Sequence, residues 1–233
     1  MTTSAATFDH AAMESAPAQI YLQPIAAPSV LGLFAFAGAT FMVAAHMANW
    51  YGGADTELYL AAFAATFGGL AQFACGMWAF KARDVLATAM HGTWGAFWIA
   101  YGLLQYAFVS GTLHKPAGAF PALGYWFIVL AAITWMGTWA ACAENKMLAV
   151  VLAFLAAGST AAAVADLLGS DPAQLVVGYL FIISAIIAWY TASAMMLEAA
   201  FHHSVLGSGK TALAKSEPKL MPGEGEPGII RGQ

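Results

Sequence analysis

Six apolar stretches recur along the chain, each about as long as a membrane-spanning helix. The chain has 233 residues, of which 61% are hydrophobic and 9% are charged, whereas about a quarter are charged in an average protein. A hydrocarbon core of about 30 Å requires roughly 20 apolar residues in a helix. We therefore predict an all-α polytopic membrane protein with six transmembrane helices. The predicted spans are Val30–Trp50, Leu58–Phe80, Leu86–Val109, Pro121–Cys142, Met147–Leu168 and Leu175–Ala200.

Basic residues determine the predicted orientation, because Lys and Arg beside a span are retained on the cytoplasmic side. Lys81 and Arg83 lie between the second and third spans, and Lys146 lies between the fourth and fifth. The basic residues that follow the sixth span are Lys210, Lys215, Lys219 and Arg231. The loops on the other side contain only Lys115. Both termini are thus predicted to be cytoplasmic, in a multi-pass protein of a plasma or inner membrane.

Changes in composition divide the chain into three parts. Residues 1–27 are rich in Ala, Ser and Thr and lack the basic residues of a signal peptide. Residues 207–233 are rich in Gly, Pro, Lys and Glu and bury too little apolar surface to fold alone. We expect both to be disordered cytoplasmic segments that flank a six-helix transport domain at residues 28–206.

Motifs for soluble chemistry are absent from the sequence. It contains no phosphate-binding loop, no dinucleotide fingerprint and no zinc-ligand spacing. No Lys or Arg lies within a span, although buried charges usually mark proton relays and ion-coupled pumps. From the absent motifs we predict that the protein is not an enzyme and has no cofactor, metal site or nucleic-acid partner. The lack of Lys and Arg within the spans argues against a pump with a central carboxylate and against a retinal protein.

The third predicted span carries a stripe of aromatic and polar side chains. It consists of His91, Trp94, Trp98, Tyr101 and Gln105, whose spacing of three and four residues places them on one helix face. Such a stripe either lines a water-containing path or packs against neighbouring helices. The spacing alone leaves both interpretations open.

Gln72, in the second predicted span, lies on a face with small residues that include Gly68, Gly69 and Gly76. Small residues let two helix backbones approach closely, and this packing role is the simpler interpretation of the glycines. An amide without a partner in hydrocarbon costs about 2–7 kcal/mol. Gln72 is therefore expected to bond either a neighbouring backbone or a permeant solute.

Four sequence motifs resemble those of the acetate uptake transporter family, the acetate/succinate permeases. The resemblance covers about residues 27–210 in chain order. It implies six helices per subunit and a homohexamer with one pore in each subunit, through which acetate and other small carboxylates pass. Proton coupling and succinate transport are left open. The motifs are A-P-S-V-L-G-L-F-A-F from residue 27, F-G-G-L-A-Q from residue 67, H-G-T-W-G-A-F-W from residue 91, and A-W-Y-T-A-S-A-M-M-L-E from residue 188 running towards V-L-G-S-G.

The same resemblance implies an apolar constriction in the pore, formed by Phe36, Trp94 and Leu155. Two departures from the family pattern bear on the substrate and the rate. The leading Asn and second Pro of the first motif are Ala27 and Val30 here, and the aromatic of the third span, often Tyr in relatives, is Trp94. A tryptophan narrows the pore and removes a hydroxyl group.

The start of the first span is a candidate binding site for a small anion. A helix N-terminus carries roughly half a positive charge and free N–H groups, and the chain offers no lysine or arginine within a span to neutralise a carboxylate. Ordinary helix initiation explains the proline equally well. The residues expected at this substrate entrance are Pro28, Leu31, Gly32, Leu33, Thr40 and Gln72.

Two alternatives remain beside the carboxylate transporter. A urea-type channel for small amides also builds six-helix subunits into hexamers, although the first motif favours carboxylates. A membrane cytochrome subunit could bind haem through His46 and His91, which lie on different spans. A four-helix diheme core needs more paired histidines than this, which makes the cytochrome the weaker alternative.

Overall fold

A computed structural model describes residues 25–212, and the regular elements of this part of the chain are all helical. Residues 1–24 and 213–233, which hold most of both predicted terminal segments, lie outside the described residues. The helices are α1 Pro28–Met47, α2 Thr56–Phe63, α3 Gln72–Ala82, α4 Val85–Val109, α5 Pro121–Glu144, α6 Lys146–Leu168 and α7 Asp171–Phe201. A π-helical segment, Ala64–Ala71, joins α2 to α3, so that Thr56–Ala82 is one continuous helix of 27 residues.

Five of these helices are long and apolar enough to cross a membrane. They are Pro28–Met47, Thr56–Ala82, Pro121–Glu144, Lys146–Leu168 and Asp171–Phe201. Helix α4 contains 25 residues, or about 37 Å at 1.5 Å per residue, which exceeds the thickness of a hydrocarbon core. It falls outside the set on composition, since the stripe from His91 to Gln105 lowers its apolar content.

Turn residues set the helix boundaries in the way that local chemistry predicts. Pro28 occupies the first turn of α1, where its missing N–H costs nothing. The side chain of Asp84 accepts a bond of 2.8 Å from the Ala87 amide at the start of α4. Asn145 does the same for α6, accepting from the amide of Met147 at 2.9 Å.

The helices form two groups that are joined through α1. Helix α1 packs against α7 on one side and against the continuous α2–α3 helix on the other, while α6 packs between α5 and α7. Helices α4 and α5 touch over only a short stretch. The space between the two groups therefore lies along α4 and faces α1, α5 and α6.

Glycines bring α3 and α4 into backbone contact. A side-chain carbon at Gly76 would lie 2.6 Å from the backbone nitrogen of Gly92, and one at Gly95 would lie 2.5 Å from that of Phe73. Neither contact can relax, because the opposing atoms belong to main chain. The small-residue face of the second predicted span is thus a helix–helix interface, as its simpler interpretation held.

The segment after α7 returns to the turn between α5 and α6. The amide of Lys146 donates to the Gly209 carbonyl at 2.9 Å, and the amide of Thr211 donates to the Glu144 carbonyl at 3.1 Å. Lys210 pairs with Glu198 at 2.7 Å. Residues 207–211, which composition assigned to the terminal segment, are therefore held against the helical bundle.

Candidate functional site

Two cavities lie end to end along α4. The proximal cavity, near the start of α1, has a volume of about 140 Å³, and its lining includes Ser29, Leu33, Phe36, Gln72, His91 and Leu152. The distal cavity, toward the other end of the bundle, has a volume of about 610 Å³, and its lining includes Thr40, His46, Phe97, Trp98, Gln105, Phe127 and Asp166. Trp94 and Leu155 line both cavities. These two side chains therefore form a wall shared by the two spaces.

The structure brings together the three residues expected at the constriction. Phe36, Trp94 and Leu155 are 3%, 2% and 3% exposed, respectively. The rings of Phe36 and Trp94 meet edge to face with their centroids 6.5 Å apart. Phe36 also lines the proximal cavity, so the shared wall is apolar on that side. We refer to Phe36, Trp94 and Leu155 as the partition.

A hydrogen bond between helices fixes the indole of the partition. The Trp94 Nε1–H donates to Thr134 Oγ1 at 3.1 Å, across the gap between α4 and α5. The Thr134 hydroxyl in turn donates to the Leu130 carbonyl at 2.6 Å. The indole N–H, the only polar group of the ring, therefore has its hydrogen-bond partner outside the two cavities. The sequence places Thr134 in a span but does not indicate that it is the partner of Trp94.

The residues expected at the start of α1 separate into different environments. Leu33 lines the proximal cavity, whereas Leu31 is 50% exposed on the outside of the bundle. The carbonyl of Pro28 accepts a bond of 2.9 Å from the Cys75 thiol. Ser29, which no sequence motif singles out, lines the cavity instead.

Gly32 is packed so tightly that its lack of a side chain determines the local geometry. A carbon added there would lie 2.5 Å from His91 Cε1 and 2.6 Å from Cys75 Sγ. Contacts this short do not occur between real side-chain carbons and their neighbours. The glycine of the first motif thus admits His91 and Cys75 to the first turns of α1.

Buried polar atoms without a hydrogen-bond partner are confined to the cavity walls. In residues 25–212 there are five such side-chain atoms: Thr40 Oγ1, Gln72 Oε1, His91 Nδ1, Trp98 Nε1 and Gln105 Oε1. Gln72 and His91 line the proximal cavity, and the other three residues line the distal cavity. An unsatisfied buried polar group costs about 1–3 kcal/mol. Both cavities are therefore suited to a solute that forms hydrogen bonds.

Ionisable side chains on the cavity walls are mostly acidic. Asp84 and Glu144 line the proximal cavity. The distal cavity is lined by several acids and one lysine, Lys115, which is paired with Glu57. Asp166 accepts a bond of 2.8 Å from Gln174 Nε2. Within the part of the chain that the structure describes, no unpaired Lys or Arg lines either cavity.

The two histidines considered as haem ligands line different cavities. His46 lies at the end of α1, with its Nδ1 3.1 Å from the Tyr51 carbonyl, and lines the distal cavity. His91 lines the proximal cavity, on the other side of the partition. The two imidazoles therefore do not face a common space that could hold one haem.

Within residues 25–212, these features define a helical bundle with membrane-length helices and two cavities that carry polar groups and are divided by an apolar wall. A sequence model of the GPR1/FUN34/yaaH family matches residues 10–207. The chain belongs to this family, which confirms the relationship that its motifs indicate.

Comparisons with individual proteins support this assignment. The chain is 29% identical over 176 residues to the Meiotically up-regulated gene 86 protein of Schizosaccharomyces pombe, covering 72% of this chain and 57% of that protein. It is 25% identical over 182 residues to Ammonia transport outward protein 2 of Saccharomyces cerevisiae, covering 77% of this chain and 64% of that protein. The chain thus spans less than two thirds of the length of either relative.

The fold has also been seen in a solved structure, that of the bacterial acetate channel SatP. The two structures agree with a TM-score of 0.71 at 20% sequence identity. The match covers 79% of this chain and 99% of the channel. At this level of identity the likeness shows that the two proteins share a fold.

Proposed function

We propose that this protein is a membrane transporter that conducts acetate and similar small monocarboxylates through a channel-like pore. One observation carries the proposal: Trp94 and Leu155 border both cavities, so a single apolar layer separates two spaces whose walls each carry unpartnered polar groups. Acetate has a methyl group that suits this layer and a carboxyl group that suits the cavities. The shared fold with a protein described as an acetate channel supports this choice of solute.

The partition acts in this proposal as a gate that excludes water and inorganic ions. Phe36, Trp94 and Leu155 present carbon to the pathway, and a narrow apolar constriction passes ions poorly because it dewets. A solute with a short apolar end crosses at lower cost, since only its polar end loses hydration. Conduction also requires binding that is weak enough to release the solute.

The substrate-binding positions in this proposal lie on both sides of the partition. The free N–H groups in the first turn of α1, next to Pro28, supply partial positive charge. Leu33 and Gln72 line the proximal cavity, and Thr40 lines the distal one. With no unpaired lysine or arginine on the described walls, helix ends and neutral hydrogen bonds stabilise the carboxyl group.

The proposed topology has six spans, with α4 as the sixth and both termini in the cytoplasm. The arrangement of basic residues supports this orientation. The inward-facing polar stripe of α4 accounts for its lower apolar content, because those side chains line the cavities and not the lipid. We place the protein in a plasma or inner membrane.

We also propose that the subunits assemble as a homohexamer with one pore in each. The motif resemblance supports this stoichiometry. Both cavities and the partition are complete within one chain, which supports one pore in each subunit. Native mass spectrometry in mild detergent is expected to give a hexameric mass. A monomer, or another fixed stoichiometry, would contradict the assembly but leave the pore proposal intact.

A second candidate solute is ammonia, a small neutral molecule. It is favoured by the relative named Ammonia transport outward protein 2 and by the acidic cavity walls, which do not attract anions. The apolar partition gives ammonia no advantage, whereas it does favour a short carboxylic acid. Acetate therefore remains the first candidate.

Uptake into proteoliposomes tests the proposal and separates the candidates. Purified protein is reconstituted, and uptake of labelled acetate is measured with and without an imposed pH gradient, with excess propionate, urea or ammonium as competitor. We expect saturable acetate uptake above that of protein-free vesicles, reduced by propionate and unaffected by urea. Uptake no faster than in protein-free vesicles would overturn the assignment, and competition by ammonium or urea at constant pH would move it to the other solutes.

A further inference from the structure

His91 is a buried polar residue for which neither the gate nor the motif resemblance provides a role. It lies in the first half of α4, is 6% exposed and lines the proximal cavity. Its Nδ1 has no hydrogen-bond partner. The ring is seated against Gly32, in space that any larger residue at that position would occupy. The first turns of α1 are thus shaped around an imidazole whose hydrogen-bonding capacity is unused.

Gln72 is a second polar residue of the same cavity whose bonding is incomplete. It begins α3 directly after the π-helical segment and is 2% exposed. Its Oε1 has no partner, and its side chain lines the proximal cavity with that of His91. Trp94 follows His91 by three residues, about one helical turn on the same face of α4. The two polar side chains therefore lie in the cavity that the partition closes.

We propose that His91 and Gln72 bind the carboxyl group of the permeant acid on the α1 side of the partition. The inference rests on the proposed function and assigns its binding site in the proximal cavity. An amide and an imidazole each offer a hydrogen-bond donor and an acceptor, and a carboxyl group can bond to both. The nearby N-terminus of α1 adds the partial positive charge that favours an anion.

The hydrogen bonds available to the acid follow from the chemistry of the two side chains. A neutral imidazole offers one N–H donor and one acceptor nitrogen, and an amide offers two N–H donors and an acceptor oxygen. His91 Nδ1 and Gln72 Oε1 are the atoms without a partner in the protein. A carboxyl group placed between them can therefore be bonded by both residues.

The other titratable groups around this cavity are identifiable. Asp84 at the start of α4 and Glu144 at the end of α5 line it. Cys75 from α3 contacts the position of Gly32, and its thiol is bonded to the Pro28 carbonyl. In α1 the titratable residue is His46, which lines the distal cavity.

The test is the half-saturation constant for labelled acetate in proteoliposomes, measured at one fixed pH. His91→Phe keeps a planar ring and removes both nitrogens, while His91→Asn keeps a hydrogen-bond donor and an acceptor. His114→Asn, at an exposed loop position, is the matched control. Each variant is compared at equal recovery of folded protein from size exclusion. A thermal-shift titration with acetate gives a second readout that does not require transport.

We expect His91→Phe to raise the half-saturation constant by about 3- to 10-fold, the effect of one lost hydrogen bond. His91→Asn retains hydrogen bonding and is expected to raise the constant by less than His91→Phe does. A wild-type constant in His91→Phe, or equal losses of affinity in the two variants, would overturn the inference. If the wild-type protein shows no saturable uptake, the proposed function fails instead, so the two failures are distinguishable.

Discussion

Trp94 donates its indole N–H to the hydroxyl of Thr134 at 3.1 Å, which ties the shared wall of the two cavities to the opposite helix. The bond crosses between α4 and α5, where direct packing is slight. It satisfies the only polar atom of the indole, so that the rest of the ring presents carbon to both cavities. The orientation of the partition thus depends on a side chain outside it.

Replacing Thr134 with valine tests this tether. Valine has nearly the same shape, so it leaves the buried indole N–H without a partner, and we expect a loss of about 1–3 kcal/mol in unfolding free energy. We also expect greater acetate flux per folded protein, because the indole is no longer held across the gap. Thr134→Ser retains the hydroxyl and is the control. Equal flux through the two variants, measured by counter-flow, would show that the bond does not position Trp94.

Truncation of the partition should raise flux although it destabilises the protein. Phe36→Ala, Trp94→Ala and Leu155→Ala each remove a buried side chain and should cost about 2–5 kcal/mol of stability. A wider constriction dewets less readily, so counter-flow of labelled acetate per folded protein should increase and discrimination against larger carboxylates should fall. Leu103→Ala, at a position of α4 that is 64% exposed, is the control. A fall or no change in normalised flux for all three variants would reject the gate.

A methyl group at Gly32 should disrupt the proximal cavity. Gly32→Ala places a carbon 2.5 Å from His91 Cε1 and 2.6 Å from Cys75 Sγ, so both side chains must move. We expect a lower melting temperature and slower acetate uptake. Gly92→Ala makes the same change in α4, where the nearest atom is Met77 Cε at 4.0 Å. This control should be neutral or stabilise the helix by about 0.5–1 kcal/mol, and equal effects of the two substitutions would contradict the close-packing argument.

The number of spans determines on which side of the membrane the two termini lie. If α4 crosses the membrane with the five more apolar helices, six spans place both termini on one side. If α4 lies elsewhere, five spans place them on opposite sides. Reporter fusions at residues 1 and 233 are expected to give the cytoplasmic signal at both ends, as the positions of the basic residues predict. Opposite signals would exclude α4 as a span.

Much of the helical framework is predictable from sequence, because helix starts and apolar runs are local features. Pro28 and Pro121 mark helix starts in the sequence, and both lie in first turns in the structure. The small-residue face of α3 is likewise predictable, because only small side chains permit backbone contact. The five apolar helices of membrane length can be recognised from composition alone, without knowledge of how they pack.

The details of the candidate site depend on side-chain directions and long-range contacts, which a sequence motif does not specify. Leu31 and Leu33 are two residues apart in one helix, so they point to different sides, and only Leu33 lines a cavity. The bond from Trp94 to Thr134 joins residues 40 positions apart. The π-helical segment before Gln72 changes the register of that helix, and its glycine-containing sequence does not predict the change. Each of these features is set by tertiary packing.

The wall bounded by Trp94 and Leu155 is one side chain thick, although the spaces on its two sides differ in volume, at about 140 and 610 Å³. A solute that leaves either cavity meets the same side chains at the highest free-energy barrier of the pathway. Any substitution in this wall therefore changes the forward and reverse rates by one common factor. For a passive pore, these residues set how fast solute equilibrates across the membrane, and the concentrations on the two sides set the direction of net flow.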